Sequence, residues 1–364
     1  MYYNPVKIVE TDSWRNEYTK FKNILGITNP VIITSRGNLN RLKLSHYFHP
    51  ESIFADVAVN PNFESCNEAI NFSCNKYLNG VIAIGGGSVM DTAKTVMASI
   101  GTGLIDNSEL LEFNDPFEYR CPSIFIPTTH GTGSEMTMWG TVWDKKERKK
   151  YSISHPALYP DIALLDANLA TSLPLDISII TTLDALSHGF EAIWNNNANP
   201  TSTEYAIESI CIIIKNIEKL YNEKNTKEIR NILLKASNIA GRAFSNTKTA
   251  AAHSISYPLT IEYGMPHGVA CSLPLSPLLQ INKDKIINEL TQIIKKLEMK
   301  NISELEERVK QITINLCDYK LSRWGIKKKD LNDLVEKSFL NGRMENNLVH
   351  LSKHQVRWIL DEIY

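Results

Sequence analysis

Short apolar runs alternate with helical stretches along the first half of the chain. The runs are PVIITS (30–35), ESIFADVAV (51–59), NGVIAIGGG (79–87) and PSIFIPTT (122–129). Continuous apolar runs of this length are typical of strands buried on both faces, and their alternation with helices is typical of parallel strands joined by crossovers. The pattern therefore predicts an N-terminal α/β domain built on a parallel sheet.

The pattern changes after PDIALLDANLATSLP (160–174). Later segments such as AIESICIIIKNIEKLYNEK (206–224) and ISELEERVKQITINLCDYKL (302–321) repeat apolar residues at helical spacing. The Leu-Pro pair that ends the first segment is a local stop signal. We therefore predict an α/β domain over residues 1–174 and an all-helical domain over residues 175–364.

The composition adds few constraints. The chain has 364 residues, 43% of them hydrophobic and 22% charged, with a net charge of -1, so nothing favours nucleic-acid binding. Its six cysteines are scattered without a CxxC pair, which predicts reduced thiols in a cytoplasm. No stretch approaches the roughly 18 consecutive apolar residues of a membrane span, and MYYNPVKIVETD lacks the apolar segment of a secretion signal. We therefore expect a cytoplasmic protein that does not bind membranes.

Two glycine-containing loops follow predicted strands. GVIAIGGGSVMDTAK (80–94) reads as a strand, three glycines and a helix that Ser88 opens, with Asp91 completing a capping box. Glycines allow a backbone to approach a diphosphate closely, and a helix N-terminus adds N–H groups and partial positive charge. A second loop, IPTTHGTGSEMT (126–137), offers several hydroxyl groups. Together the loops favour a dinucleotide over a purely structural turn.

The helical half carries candidate metal ligands. Asp184 and His188 lie four residues apart in LDALSHGFEA, so a helix would place both on one face. His253 and His267 follow in AAAHSISYPLTIEYGMPHGVA (250–270). One carboxylate and three imidazoles suit a divalent first-row metal such as Fe²⁺ or Zn²⁺, with a position left for substrate.

These motifs resemble the iron-containing (group III) alcohol dehydrogenases. GGGSVMDTAK, PTTHGTGSEMT, DALSHGFEA and MPHG occur in the order and at roughly the spacing seen in that family. The resemblance implies the dehydroquinate synthase-like fold, which has a dinucleotide-binding parallel-sheet domain, a helical metal-binding domain and a metal in the cleft between them. It implies that the metal ligands are Asp184, His188, His253 and His267. It also implies cofactor contacts at Gly86, Gly87, Ser88, Asp91, Thr128, Thr129 and Thr132.

The chain departs from the family pattern at two places. Many members carry a histidine where this chain has Tyr257, whose hydroxyl is a candidate proton donor at the reacting oxygen or else a packed aromatic. Where the family often has an acidic residue after the first strand, this chain has Ser35 and Arg36. A guanidinium favours the 2′-phosphate of NADPH, so we expect NADPH to be accepted at least as well as NADH.

Residues 245–275 resemble most closely the subgroup that reduces phosphonoacetaldehyde to 2-hydroxyethylphosphonate. A dianionic substrate needs cations, and Lys248 and Arg343 are the candidates for binding the phosphonate. The expected reaction is a metal-dependent, NAD(P)H-linked reduction of a small aldehyde, catalysed by a homodimer as the family suggests. The alternatives are a general short-chain alcohol dehydrogenase and a zinc-dependent polyol enzyme similar to glycerol dehydrogenase.

Overall fold

The computed structural model describes residues 1–74, 76–144, 149–222, 226–339 and 342–364. The described chain divides into two compact units. The sheet unit contains residues 4–129 and 133–173, and the helical unit contains residues 1–3, 130–132 and 174–364.

The sheet unit is built on a parallel sheet with strand order β1-β8-β5-β4-β2-β3, together with an antiparallel pair, β6 and β7. Its strands are β1 (Lys7–Glu10), β2 (Pro30–Thr34), β3 (Ile53–Phe54), β4 (Gly80–Gly85), β5 (Ser123–Pro127), β6 (Trp139–Asp144), β7 (Lys149–Ser154) and β8 (Ile162–Leu165). Its α-helices are α1 (Trp14–Ile24), α2 (Arg36–Arg41), α3 (Phe63–Cys74), α4 (Gly87–Thr102) and α5 (Asn107–Glu112).

Both faces of this sheet are covered by core residues. Successive side chains of a strand point to opposite faces, so Val81 and Ala83 join one hydrophobic cluster while Ile82 and Ile84 join another. Strand β4 is therefore apolar without interruption, and this is why the sequence pattern identified it.

The predicted α/β class is confirmed, but some strands differ from the prediction. The run ESIFADVAV yields only the two-residue strand β3. Strand β1 pairs in parallel with β8, and β6 pairs with β7 in a hairpin; the sequence patterns had indicated neither β1 nor the hairpin. Short strands with few apolar residues, such as KIVE in β1 and KKYSIS in β7, leave little periodic signal.

The helical unit is built from helices, as the helical spacing of apolar residues in the second half of the chain predicts. Its α-helices are α6 (Leu175–Ile193), α7 (Pro200–Asn216), α8 (Lys219–Asn222), α9 (Lys227–Thr247), α10 (Ala251–Tyr263), α11 (His267–Ser272), α12 (Leu275–Asn282), α13 (Ile287–Leu297), α14 (Ile302–Leu316), α15 (Leu331–Lys337) and α16 (Lys353–Glu362). The helix predicted over 206–224 is split between α7 and α8, and its residues 223–224 lie outside the described residues. Within the described ranges, no helix combines the length and the apolar character required to cross a bilayer.

Helix α6 is the central element of the helical unit. All of its residues from Leu183 to Ile193 are buried, as expected of a helix that is surrounded by other elements. Buried among its apolar residues are three titratable side chains, Asp184, His188 and Glu191. Burying such groups is costly unless they are paired or bind an ion, so this helix is the candidate for a functional centre.

Candidate metal centre and nucleotide loop

The close approach of α11 to α6 brings two candidate ligands, Asp184 and His267, together. A Cβ atom added at Gly268 would lie 1.9 Å from the carbonyl oxygen of Ile180, one turn before Asp184. Only glycine fits at this contact, and it lets the start of α11, which is His267, lie against the turn that carries Asp184.

A group of four side chains offers metal-ligating atoms that all lie within 4.8 Å of one another: Asp184, His253, His267 and Cys271. His253 Nε2 lies 3.6 Å from Asp184 Oδ1. Both atoms are buried, and neither has a hydrogen-bond partner in the part of the chain that the structure describes. Two facing buried polar atoms without partners are unusual, and a cation between them would satisfy both. The residues present therefore fit a divalent metal ion.

Glu191 fixes the orientation of His253. Its Oε2 accepts a hydrogen bond from His253 Nδ1 at 2.5 Å, and its Oε1 accepts one from the backbone N–H of His253 at 2.9 Å. The backbone N–H belongs to the first turn of α10, where it has no partner within the helix. One carboxylate thus holds the proton on Nδ1 and directs Nε2 to the ligand group, as carboxylates do behind metal-bound histidines.

The electrostatics of the cluster favour an ionised carboxylate. Burial raises the pKa of Asp184. The neighbouring imidazoles, of which His188 has the largest effect, lower this pKa by more than burial raises it, so it lies below its usual range. Burial also raises the pKa of Glu191, which His253 then lowers below its ordinary value. Two buried carboxylates thus stay anionic in an apolar surrounding, which suits the binding of a cation.

His188 lies beside this group and is not one of its four members. Its ring is stacked on Phe244, with centroids 4.1 Å apart, and on His253, with centroids 4.6 Å apart. The structure thus brings three of the four predicted ligands together and places the fourth in an aromatic stack.

Tyr257 and Arg343 lie next to the candidate metal ligands. The Tyr257 ring is parallel to the His267 ring, with centroids 6.2 Å apart. The Arg343 guanidinium carbon lies 4.8 Å from the centre of the Tyr257 ring. Cations are attracted to aromatic faces, so this contact holds Arg343 near the ligand group.

Lys248 is exposed, and its backbone N–H and carbonyl both form hydrogen bonds. Its N–H donates to Phe244 O at 2.8 Å, and its carbonyl accepts from Asn195 Nδ2 at 3.2 Å. Its φ of 65° lies in the left-handed region that non-glycine residues seldom adopt. The structure therefore associates Arg343, but not the side chain of Lys248, with the candidate centre.

In the sheet unit, the glycine loop ends β4 and starts α4. Gly86 is the N-cap of α4, and no side chain caps the helix. A Cβ at Gly86 would lie 2.9 Å from Thr129 Cγ2, so a side chain here would collide with the second loop. The first turn of α4 therefore presents its N–H groups beside Gly86, Gly87 and Thr129, as an anion-binding helix terminus requires.

The predicted capping box is wrong. The helix starts at Gly87 rather than after Ser88, and Ser88 Oγ instead accepts a hydrogen bond from Asn60 N at 3.3 Å. Asp91 turns inward, where its Oδ1 accepts from Ser134 Oγ at 3.1 Å. The helix starts earlier than predicted because glycine, here Gly86, is itself an acceptable N-cap.

Lys94, also on α4, is fully buried. Its Nζ lies within 2.9 Å of four oxygens: Ser134 O, Ser134 Oγ, Thr137 Oγ1 and Trp139 O. Burial lowers the pKa of Lys94 to about 7. This lysine fastens the segment after the second loop to α4.

The threonines of the second loop lie in different units. Thr128 N donates to Gly85 O at 3.1 Å, and Thr128 Oγ1 accepts from Asn38 Nδ2 at 3.4 Å, so Thr128 lies at the ends of β4 and β5. Thr129 adjoins Gly86, as described above, whereas Thr132 belongs to the helical unit.

Ser35 and Arg36 lie at the carboxyl end of β2. Ser35 caps α2 by accepting from Asn38 N at 3.2 Å, and Arg36 forms a salt bridge with Asp56. With Glu68, these residues line an open cavity of about 510 Å³. In parallel α/β sheets, dinucleotides bind at this edge, so the cavity is a candidate ribose site.

Comparison with known proteins agrees with these features. Residues 5–167 match the family model described as iron-containing alcohol dehydrogenase, and residues 178–364 match that of the C-terminal region of the same family. The chain belongs to the iron-containing alcohol dehydrogenase family.

Several curated relatives and solved structures are similar to this chain. The chain is 33% identical to the probable alcohol dehydrogenase EutG of Escherichia coli over 69% of this chain and 62% of that protein. It is also 33% identical to the phosphonoacetaldehyde reductase of Streptomyces viridochromogenes over 55% of this chain and 52% of that protein. Each match spans less than two thirds of the relative's own length.

A crystal structure of the sulfoacetaldehyde reductase from Bifidobacterium kashiwanohense in complex with NAD⁺ has the same fold. It matches with a TM-score of 0.91 at 24% identity, over 100% of this chain and 98% of that one.

The sequence patterns overlooked five residues that the structure places at these sites: Glu191, Cys271, Lys94, Asn38 and Asp56. Helical spacing could have indicated three of them. Glu191 lies three residues after His188, Cys271 four after His267, and Lys94 three after Asp91, so each shares a helix face with a residue already singled out.

Proposed function

We propose that this protein is a metal-dependent, NAD(P)H-linked reductase of small aldehydes, and that its substrate is phosphonoacetaldehyde, reduced to 2-hydroxyethylphosphonate. The observation that carries the proposal is the ligand group of the buried Asp184 and His253 and the half-buried His267, in which Asp184 Oδ1 and His253 Nε2 face each other without a hydrogen-bond partner among the described residues. Membership of the iron-containing alcohol dehydrogenase family supports the same reaction class.

Each group in this centre has a proposed task. When bound, a divalent metal polarises the carbonyl oxygen and the dihydronicotinamide supplies hydride to the carbonyl carbon. Asp184, His253 and His267 hold the metal, and Glu191 keeps the proton on His253 Nδ1 so that Nε2 is free to bind. His188, the remaining predicted ligand, would have to leave its stack with Phe244 to join them. The hydroxyl of Tyr257 is the proposed proton donor to the product oxygen.

The sheet unit is proposed to bind the cofactor. Gly86, Gly87, Ser88 and the first turn of α4 would receive the pyrophosphate, with Thr128 and Thr129 beside it; Thr132 and Asp91 complete the proposed set. Arg36 would bind a 2′-phosphate after release from Asp56, and on this basis we propose that NADPH is used at least as well as NADH. Either Fe²⁺ or Zn²⁺ suits the ligand types.

Arg343 supports an anionic substrate. Its guanidinium carbon lies 4.8 Å from the centre of the Tyr257 ring, and that ring lies 6.2 Å from the ring of His267, so a positive charge lies near the proposed metal. A two-carbon aldehyde with a terminal phosphonate carries its anionic group a short distance from the carbonyl, which matches this placement. Similarity to proteins named phosphonoacetaldehyde reductase and sulfoacetaldehyde reductase points to the same substrate class. Lys248 is retained as a second proposed cation.

The substrate proposal is tested by comparing phosphonoacetaldehyde with propionaldehyde. Replacing Arg343 by Gln removes hydrogen bonds to a charged group, so kcat/KM for the phosphonate should fall by about tenfold or more. The value for propionaldehyde should change less than about twofold. The matched control is Arg323→Gln, which removes an exposed arginine of the same unit and should leave both values unchanged.

The second candidate is a general short-chain alcohol dehydrogenase, which the similarity to EutG favours. It predicts efficient reduction of propionaldehyde and butyraldehyde and no selective loss in the Arg343 variant. We further propose a cytoplasmic homodimer, and sedimentation of the purified protein would test its subunit number.

A further inference from the structure

The proposed substrate cation, Arg343, lies on a short turn that asparagine side chains hold in place. The turn comprises residues 342–347, and a single turn of 3₁₀-helix, Met344–Asn346, begins directly after Arg343. We propose that Asn346 positions the Arg343 guanidinium beside Tyr257 and is thereby a determinant of selectivity for anionic aldehydes. This inference rests on the proposed function, in which Arg343 binds the phosphonate.

Asn346 links this turn to the segment that leads into α10. Its Nδ2 donates to Thr249 O at 2.8 Å and to Gly342 O at 3.0 Å. Its backbone N–H donates to Arg343 O at 2.9 Å. Thr249 lies two residues before α10, the helix that carries Tyr257. One residue therefore closes the turn around Arg343 and ties it to the helix of the candidate metal centre.

The loop between α6 and α7 holds the same turn through Asn196. Its Nδ2 donates to Glu345 O at 2.8 Å, and its backbone N–H donates to Asn346 O at 2.8 Å. The next residue of the loop, Asn197, binds outside the turn, since its Nδ2 donates to Thr247 O at 3.2 Å. Asn196 therefore supports Asn346, and Asn197 makes a hydrogen bond of the same kind at a place that does not hold Arg343.

The carboxylate of Glu345 binds the backbone of the turn rather than the guanidinium. Its Oε1 accepts a hydrogen bond from Gly342 N at 2.9 Å, and its Oε2 accepts one from Arg343 N at 3.0 Å. Within the described ranges the Arg343 guanidinium forms no salt bridge, and its carbon lies 4.8 Å from the centre of the Tyr257 ring. A guanidinium held at an aromatic face without a carboxylate partner keeps its N–H groups for an anion such as a phosphonate.

A cation that is fixed before the substrate arrives contributes more to binding than one that must be ordered. Ordering a long side chain and its turn during binding consumes part of the interaction energy, so preorganisation raises affinity. Because the charge acts on the phosphonate rather than on the carbonyl, its misplacement should raise KM more than it lowers kcat. Propionaldehyde has no anionic group, so its reduction should not depend on Asn346.

Steady-state kinetics of the metal-loaded full chain test the inference with phosphonoacetaldehyde and propionaldehyde. Asn346→Ala removes the side-chain hydrogen bonds to Thr249 and Gly342, so kcat/KM for the phosphonate should fall about three- to tenfold, mainly through KM. The value for propionaldehyde should change less than about twofold. Asn196→Ala, which releases the turn at Glu345, should change both values in the same direction, so the test does not depend on the folding of one variant.

A double substitution separates positioning from a general loss of stability. In an Arg343→Gln background, Asn346→Ala should cause no further fall with the phosphonate, because the group that it positions is already absent. The matched control is Asn197→Ala, which should keep the wild-type values for both aldehydes. A selective loss in Arg343→Gln without one in Asn346→Ala or Asn196→Ala, or a further fall in the double variant, would overturn the inference and leave the proposed function standing. The absence of a selective loss in Arg343→Gln itself would overturn both.

Discussion

Replacing Glu191 by Gln should weaken metal binding without removing any metal ligand. Glu191 accepts hydrogen bonds from both His253 Nδ1 and the His253 backbone N–H, and both side chains are buried. The amide of Gln can accept only through one atom, so its NH₂ group must face one of these two donors. Loss of a carboxylate behind a ligating histidine typically costs 10- to 100-fold in metal affinity. That range corresponds to about 1.4–2.7 kcal/mol.

The assay is a competition titration of metal-free protein with zinc and a chromophoric chelator. Glu208→Gln is the matched control, because Glu208 is an exposed glutamate on α7 in the same unit, and its affinity should equal that of the wild type. Circular dichroism establishes that both variants are folded. Wild-type zinc affinity in a folded Glu191→Gln variant would refute the role assigned to this carboxylate.

Three further predictions follow from single groups. Tyr257→Phe should lower kcat about 100-fold or more with metal content unchanged, and an unaltered kcat would remove the hydroxyl from proton transfer. Asp56→Asn frees Arg36 from its salt bridge, so kcat/KM for NADPH relative to NADH should rise roughly two- to fivefold; an unchanged ratio would count against the ribose site. Burial, reinforced by the charge of Arg230, lowers the pKa of His130 to about 3, so the folded state binds one proton fewer than the unfolded state between about pH 6.5 and 3. The free energy of unfolding should therefore decrease as the pH is lowered through that window, by up to about 1.4 kcal/mol per pH unit. Denaturant titrations should show that this free energy depends less steeply on pH in His130→Asn, by the equivalent of one proton.

The fold could be predicted because its signals are local. Continuous apolar runs such as VIAI in β4 arise because the strand is buried on both faces, as the two clusters on either side of the sheet confirm. The four-residue spacing of Asp184 and His188 likewise follows from one helix, and α6 contains both. Strand β3 pairs with β2 over only two residues of the longer apolar run ESIFADVAV, which shows that apolar character alone does not set the length of a strand.

Sequence patterns could not predict contacts between segments that are distant in the chain. Glu191 and His253 are 62 residues apart, and their hydrogen bond depends on how α10 packs against α6. The orientation of His188 depends on a stack with Phe244, which no spacing rule encodes. Cys271 looked like one of six scattered thiols until α11 brought it to Asp184. Side-chain direction and tertiary packing, rather than periodicity, decide which candidates meet.

The central claim is that aldehyde reduction by this protein requires both a divalent metal and a nicotinamide cofactor. The direct measurement is the absorbance loss of NADPH or NADH on adding phosphonoacetaldehyde, propionaldehyde or butyraldehyde to metal-free protein and to protein reloaded anaerobically with Fe²⁺ or Zn²⁺. We expect cofactor oxidation only in the reloaded samples, fastest with the phosphonate, and we expect its loss in Asp184→Asn. Equal rates with metal-free protein, or no oxidation with any aldehyde by metal-loaded protein, would contradict it.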